Sequence, residues 1–115
     1  MGRDQLPSAK ERRKLLSQSS AGLGEIGRRL LREGRWGEAL ECLQTGHDQE
    51  GLRELAGLAM EAGDLFTWRR VLEALEQEPS PEDLAQMRQR AQELGKLAYA
   101  QAAEALLQPP DQSEP

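Results

Sequence analysis

The segment Leu30–Leu43, LLREGRWGEALECL, decides the fold of this chain. Gly34 separates two stretches of helix-forming residues, and glycine readily adopts the left-handed conformation that ends a helix. Trp36 follows directly after the turn, and the small residue Ala39 lies in the second stretch. The segment therefore predicts two antiparallel helices, in which Gly34 folds the chain back, Trp36 fills the gap and Ala39 permits close approach.

Two other glycines repeat this arrangement. Gly63–Leu65 and Gly95–Leu97 have the same order as Gly34–Trp36, namely a glycine, a charged residue and a large apolar residue, at intervals of 29 and 32 residues. Apolar residues at helical spacing lie on both sides of each glycine. Regular recurrence at this period is typical of helical repeats whose neighbours cover each other's apolar faces.

The composition favours an all-α fold over any fold with a sheet. The chain is rich in Leu, Ala, Glu, Arg and Gln, and its β-branched residues are isolated. Its 115 residues form one domain by size. Ser80 and Pro81 supply an N-cap and a first helical residue after the segment EQEP. The predicted hairpins are residues 21–46, 49–77 and 80–108.

The two ends of the chain have a different character. Ser8 and Glu11 have capping-box spacing, so a short helix is predicted to Ser17 within a basic N-terminal segment, residues 1–19. The sequence SSAG, residues 19–22, is expected to interrupt the helix. The tail 109–115, PPDQSEP, is expected to be disordered.

A second interpretation of the C-terminal part remains open. Apolar residues alternate at spacings of three and four from Leu84 through Met87, Ala91 and Leu94 to Ala98, as in a coiled coil. In this alternative, residues 80–107 form one long helix that continues through Gly95 and acts as a dimerisation arm or a lid.

The first hairpin resembles a tetratricopeptide repeat. Ile26-Gly27 matches the Leu-Gly pair of that family, Leu30 the first-helix aromatic, and Gly34, Trp36 and Ala39 the turn and the small residue of the second helix. The later hairpins depart from the pattern, with Trp68 and Arg88 at small-residue positions. The resemblance implies a short right-handed solenoid of antiparallel helix hairpins over residues 20–108, with an N-terminal capping helix and a C-terminal helix.

The resemblance also implies a function, because such repeats hold a peptide or helix of a partner protein on the concave face of their first helices. The inward positions are Arg28, Leu31, Arg32, Arg53, Met60, Glu61, Gln89 and Gln92. The three arginines outside the apolar stripe could bind an acidic segment or could simply solvate an exposed helix. The expected function is a non-enzymatic adaptor, scaffold or dedicated chaperone.

The charge distribution supports one competing function. Residues 1–36 hold nine basic and four acidic residues, whereas the remainder holds six and sixteen. The cluster Lys10–Lys14, KERRK, could contact nucleic acid or an acidic partner in a self-associating helical regulatory protein. The cluster contains no aromatic residue and is interrupted by Glu11, so nucleic-acid binding is not favoured. A homodimer is compatible with either function.

Other chemistry has little support in the sequence. Cys42 and His47 lack the further ligands that a zinc site needs, and no nucleophile elbow or phosphate-binding loop is present, so we predict no enzyme activity, metal or cofactor. The single cysteine and the absence of a long apolar stretch predict a cytoplasmic protein without a membrane span.

Overall fold

A computed structural model describes residues 20–108, in which the chain forms six α-helices and no strand. The helices are α1 (Ser20–Arg32), α2 (Trp36–Thr45), α3 (Gln49–Glu61), α4 (Leu65–Ala74), α5 (Pro81–Glu93) and α6 (Leu97–Leu107). The predicted all-α class is therefore confirmed for the described residues.

The three repeated glycines end helices in the same way. Gly34, Gly63 and Gly95 have positive φ angles of 79°, 62° and 75°. In the first turn, the Gly34 N–H donates to the Leu31 carbonyl at 3.0 Å and the Arg35 N–H donates to the Leu30 carbonyl at 2.9 Å. This pair of bonds defines a Schellman turn, and both later glycines form the same pair.

The turn at Gly95 decides between the two interpretations of the C-terminal part. Because α5 ends at Glu93 and α6 begins at Leu97, residues 80–107 do not form one long helix. The coiled-coil interpretation of the apolar spacing is therefore wrong, because Gly95 adopts a left-handed conformation that ends the helix.

Two more Schellman turns lack glycine at the left-handed position. His47 and Glu76 have φ angles of 56° and 58°. The following residues, Asp48 and Gln77, donate their N–H groups to the carbonyls of Leu43 and Leu72, each at 2.9 Å. At the first of these turns the left-handed residue is His47, although a glycine, Gly46, precedes it.

Short polar side chains cap the starts of three helices. Asp48 accepts a hydrogen bond from the Gly51 N–H at 3.0 Å, and Asp64 accepts one from Thr67 at 3.1 Å. The hydroxyl of Ser80 accepts from the Asp83 N–H at 3.1 Å, with Pro81 at the first helical position. The predicted start of a helix at Ser80 is therefore confirmed.

The chain divides into two compact units, the first ending at Leu52 and the second beginning at Arg53. In the first unit α1 packs on α2, where Ala39 and Leu43 have no exposed surface. In the second unit α5 packs on α6 and α4 contacts α6. Its buried residues include Leu55, Ala59, Leu65, Trp68, Val71, Leu72, Leu84, Met87, Ala91, Ala100 and Ala103.

Several local expectations need correction. Residues 20–22 belong to α1, because serine is well tolerated at a helix start and glycine costs little in an exposed first turn. Ile26 and Leu94 are 40% and 44% exposed despite their helical spacing, and Leu97 is 64% exposed. Leu97 begins the last helix of the described range, so no later described helix covers it. The predicted Ser8–Ser17 helix and the 109–115 tail lie outside the described residues.

Candidate partner-binding grooves

Three of the predicted partner-binding residues line one groove of the second unit. Met60 and Glu61 come from the end of α3, and Gln89 comes from α5. We call this cavity of about 430 Å³ the Met60 groove; its lining is Met60, Glu61, Gln86, Gln89, Arg90 and Glu93. The structure therefore brings together the part of the predicted surface that lies on α3 and α5.

Two cationic side chains donate hydrogen bonds to backbone carbonyls at the end of α3. The Arg90 guanidinium donates from Nε to the Glu61 carbonyl at 2.6 Å, and it also pairs with the Glu93 carboxylate at 3.1 Å. Lys96 donates from Nζ to the Ala62 carbonyl at 2.6 Å. Cations stabilise the unpaired carbonyls at a helix C-terminus. Arg90 and Lys96 thus have structural partners, and Met60 is the one apolar residue type in the lining of the Met60 groove.

The predicted binding residue Arg28 has partners within its own unit. Its Nε and Nη2 donate to the two carboxylate oxygens of Asp48 at 2.7 and 2.9 Å, and Nη2 also reaches Glu50 at 3.4 Å. Since Asp48 caps the start of α3, the pair ties α1 to that helix start. Arg28 is therefore already bound to carboxylates and would have to exchange them to bind an acidic partner.

The Arg28–Asp48 ion pair changes the pKa values of both side chains. The hydrogen bonds from the Arg28 guanidinium, helped by the Gly51 N–H, lower the pKa of Asp48 despite its partial burial. The hydrogen bonds to Asp48 and Glu50 raise the pKa of Arg28 above its usual value. Asp48 therefore stays ionised at neutral pH, and Arg28 stays protonated.

Replacing Asp48 by alanine should destabilise the first unit by about 1–2 kcal/mol, because the α3 cap and the ion pair are both lost. Asp48→Asn is the matched control, since its amide oxygen can still cap the helix, and we expect a smaller loss. Urea unfolding at neutral pH measures both variants. Equal stability of Asp48→Ala and the wild type would contradict the role of the cap.

The Arg28–Asp48 ion pair should contribute to the folding stability in a way that is lost in acid. Because the Asp48 pKa is lower in the folded chain than in the unfolded chain, its contribution is present above the unfolded value of about 3.9. It is lost as the pH falls through the folded pKa. The stability difference between wild type and Asp48→Asn should therefore shrink below about pH 4.

The remaining predicted residues are dispersed. Leu31 is only 4% exposed and belongs to the core, because it lies on the apolar stripe of α1. This burial removes Leu31 from the surface that a partner could contact. Arg32 and Arg53 are exposed. Gln92 lines a shallow groove of about 310 Å³ with Arg88 and Leu97.

A further groove was not predicted from the sequence. It lies in the second unit, has a volume of about 700 Å³, and is formed by α4, the segment after it and α6. We call it the Phe66 groove; its lining is Leu65, Phe66, Arg69, Arg70, Leu72, Glu73, Glu76, Gln77, Glu78, Pro79, Tyr99 and Ala102.

The aromatic ring at the start of this groove is unusually accessible. Phe66 is 59% exposed, and the guanidinium carbon of Arg70 lies 5.5 Å from the centre of its ring. Leu65 and Leu72 are buried beside it, whereas Tyr99 on α6 is half-buried. Aromatic residues and arginine are both enriched in protein interfaces.

Charges follow a definite order along the Phe66 groove. Arg69 and Arg70 lie in the middle of α4, and Glu73, Glu76 and Glu78 lie at and beyond its end. Within the described part of the chain, neither arginine forms an ion pair with a carboxylate. The groove therefore has a basic end and an acidic end.

One signal in the sequence could have revealed this groove. The buried stripe of α4 consists of Leu65, Trp68, Val71 and Leu72, and Phe66 does not lie on it. A lone phenylalanine off the apolar stripe, followed by two arginines, is a candidate contact residue. The opposite wall, with Tyr99, could not be found in this way because it comes from a helix distant in sequence.

Cys42 is partly buried near two acidic residues of α2. Burial raises the pKa of the Cys42 thiol, and the nearby Glu41 and Glu38 raise it further. A raised pKa makes a cysteine a poor nucleophile at neutral pH. Among the described residues, no group of three or more His, Cys, Asp or Glu side chains could hold a metal ion.

No protein-family model, curated protein or solved structure matches this chain. The resemblance to tetratricopeptide repeats therefore depends on the residues quoted above. None of the described helices has the length and apolar character needed to cross a membrane.

Proposed function

We propose that this chain is a non-enzymatic protein-interaction module of tetratricopeptide-like hairpins, serving as an adaptor, scaffold or dedicated chaperone. The observation that carries the proposal is the Phe66 groove, in which the phenylalanine on α4 is 59% exposed. A partner that covered this ring would remove its apolar surface from water, which is the main driving force of association. Few interface residues supply most of the binding energy, and aromatic residues are prominent among them.

The Phe66 groove is favoured over the inner-face residues first predicted from the sequence. Leu31 is buried, and Arg28 is held by Asp48. In the Met60 groove, Arg90 already has carbonyl and carboxylate partners. A ligand in the Met60 groove would have to remove water from charged groups, which costs free energy. In the Phe66 groove, a ligand could instead bury the apolar surface of Phe66, Pro79 and Tyr99.

Affinity capture from the native lysate tests the proposal, with nuclease added and mass spectrometric detection. Phe66→Ala should lower the retained amount of a specific partner by about tenfold or more, because loss of an interface anchor costs 2 kcal/mol or more. Leu106→Ala is the matched control, since Leu106 is an exposed apolar residue of the same unit that does not line the groove. This control should retain the partner as the wild type does.

Two other results would redirect the assignment. Equal capture by wild type and Phe66→Ala would overturn the Phe66 groove as the binding site. Loss of the partner only from a Met60→Ala/Gln89→Ala variant would assign binding to the Met60 groove instead. Circular dichroism of each variant shows whether its helices are intact, so that unfolding is not mistaken for loss of binding.

A further inference from the structure

The order of charges in the Phe66 groove specifies the chemistry of its ligand. We propose that the groove binds an amphipathic helix of a partner protein, with acidic residues in the first turn and basic residues about two turns later. This helix would run in the same direction as α4. The inference rests on the proposed function, because it names the partner class for the same groove.

Charge complementarity determines the direction of the bound helix. Arg69 and Arg70 form the basic end, and Glu76 and Glu78 form the acidic end beyond the last residue of α4. Acidic residues favour the first turn of a helix and basic residues favour its last turn, because of the helix dipole. An acid-first helix therefore satisfies both the groove and its own dipole when it runs parallel to α4.

The spacing along α4 determines the separation of the partner's charges. Arg69 and Ala74, the last residue of α4, are five residues apart, which corresponds to about 8 Å along the helix, and Glu76 lies beyond that point. Partner residues at positions i and i+7, about 10 Å apart, therefore extend from Arg69 past the end of α4. Apolar partner residues at i+3 and i+4 would then lie level with Leu72, and those at i−3 and i−4 level with Phe66, which precedes Arg69 by three residues.

The walls of the groove favour a helix over an extended peptide. Two helices, α4 and α6, supply most of the lining, and their backbone groups bond within each helix. An extended peptide would bring unpaired N–H and C=O groups against apolar side chains, at a cost in free energy. A helix brings its own backbone hydrogen bonds, so only its side chains need partners.

A display library can test this inference without knowledge of the natural partner. The probe is a set of amphipathic helices of about four turns with a leucine stripe, in which Glu, Lys and Gln vary in the first and last turns. Selection against immobilised wild-type protein, with removal of clones that also bind Phe66→Ala, yields ligands of the groove. Acid-first, base-last clones should exceed base-first, acid-last clones by about tenfold.

A charge-swapped protein separates groove recognition from the intrinsic helicity of the clones. The variant Arg69→Glu/Arg70→Glu/Glu76→Lys/Glu78→Lys should prefer base-first helices, with the ratio reversed by about tenfold. If that variant does not fold, Glu76→Gln/Glu78→Gln should reduce the preference of the acid-first helices. Leu106→Ala should leave the selection unchanged.

The inference and the proposed function can fail separately. Phe66-dependent capture of a lysate partner, combined with an absence of charge order among the selected helices, would overturn only the helix inference. If partner capture depends on Phe66 but no helix is selected in a Phe66-dependent way, the helix inference alone is likewise overturned. Lysate capture that does not depend on Phe66 would overturn the groove assignment itself.

Discussion

Replacing Leu43 by alanine is expected to lower the free energy of unfolding of the first unit by about 2–5 kcal/mol. Leu43 has no exposed surface, and its side chain lies against Gly27 of α1 and Gly51 of α3. Truncation removes apolar contacts and leaves a cavity that the surrounding helices fill incompletely. Tryptophan fluorescence during urea unfolding measures the effect, because Trp36 belongs to the first unit and Trp68 to the second. A Trp68→Phe background isolates the signal of Trp36.

Gly27→Ala should have different effects in the wild type and in the Leu43→Ala background. A β-carbon at Gly27 would lie 2.7 Å from Cγ and 2.8 Å from Cδ2 of Leu43, so Gly27→Ala alone should destabilise the unit by about 1–3 kcal/mol. In the Leu43→Ala background both atoms are absent, and the backbone nitrogen of residue 43, at 3.2 Å, remains close. The higher helix propensity of alanine should then offset this remaining contact, so that Gly27→Ala is close to neutral.

Gly57→Ala supplies the matched control for helical glycine. Gly57 lies in α3, and a β-carbon there would meet nothing within 4 Å. This substitution should stabilise the protein by about 0.5–1 kcal/mol in both backgrounds. If Gly27→Ala stabilised the wild type as Gly57→Ala does, the close approach of α1 to α2 at Leu43 would be contradicted.

Gly63→Ala should be the most costly alanine substitution among the three repeated glycines, at about 2–4 kcal/mol. Its φ of 62° strains any side chain, and a β-carbon would also lie 3.2 Å from Cα and 3.3 Å from N of Ala91. Those atoms belong to the backbone of α5 and cannot turn aside as a flexible side chain can. The cost therefore combines backbone strain with displacement of a neighbouring helix.

Gly34→Ala and Gly95→Ala isolate the conformational part of this cost. Both glycines have positive φ angles, yet a β-carbon at either would meet nothing within 4 Å. Each substitution should cost about 1 kcal/mol, which is the usual penalty for a left-handed residue with a side chain. Chemical unfolding of the three variants provides the comparison. Equal losses at all three glycines would show that α5 does not constrain Gly63.

The helix boundaries could be predicted because their signals are local. A left-handed glycine ends a helix through bonds that span only six residues, and Ser80 with Pro81 starts one through a single cap. The turns at His47 and Glu76 have weaker local signals, because residues other than glycine are uncommon at a positive φ, although histidine is enriched there. At these two turns, backbone hydrogen bonds of the neighbouring residues stabilise a left-handed conformation that a side chain disfavours.

The candidate site was less predictable, because exposure depends on residues distant in sequence. Helical spacing assigns Leu31 to an apolar stripe but does not say whether a partner or the core covers it; it is buried. Helical spacing also does not predict the ion-pair partner of Arg28. In the structure Arg28 donates hydrogen bonds to Asp48, which is twenty residues away in sequence. The Phe66 groove requires α4 and α6 together, so no single segment encodes it.

The all-α class, the three glycine turns and the capped start at Ser80 follow from the sequence alone, because hydrogen bonds within a few residues control each of them. The position of Phe66 off the buried stripe of α4 is also local, because Phe66 and Trp68 lie on different faces of one helix. The packing of the helices decides that Tyr99 of α6 lines the same groove as Phe66 and that Leu31 is buried, because burial follows from which neighbouring helix covers each face.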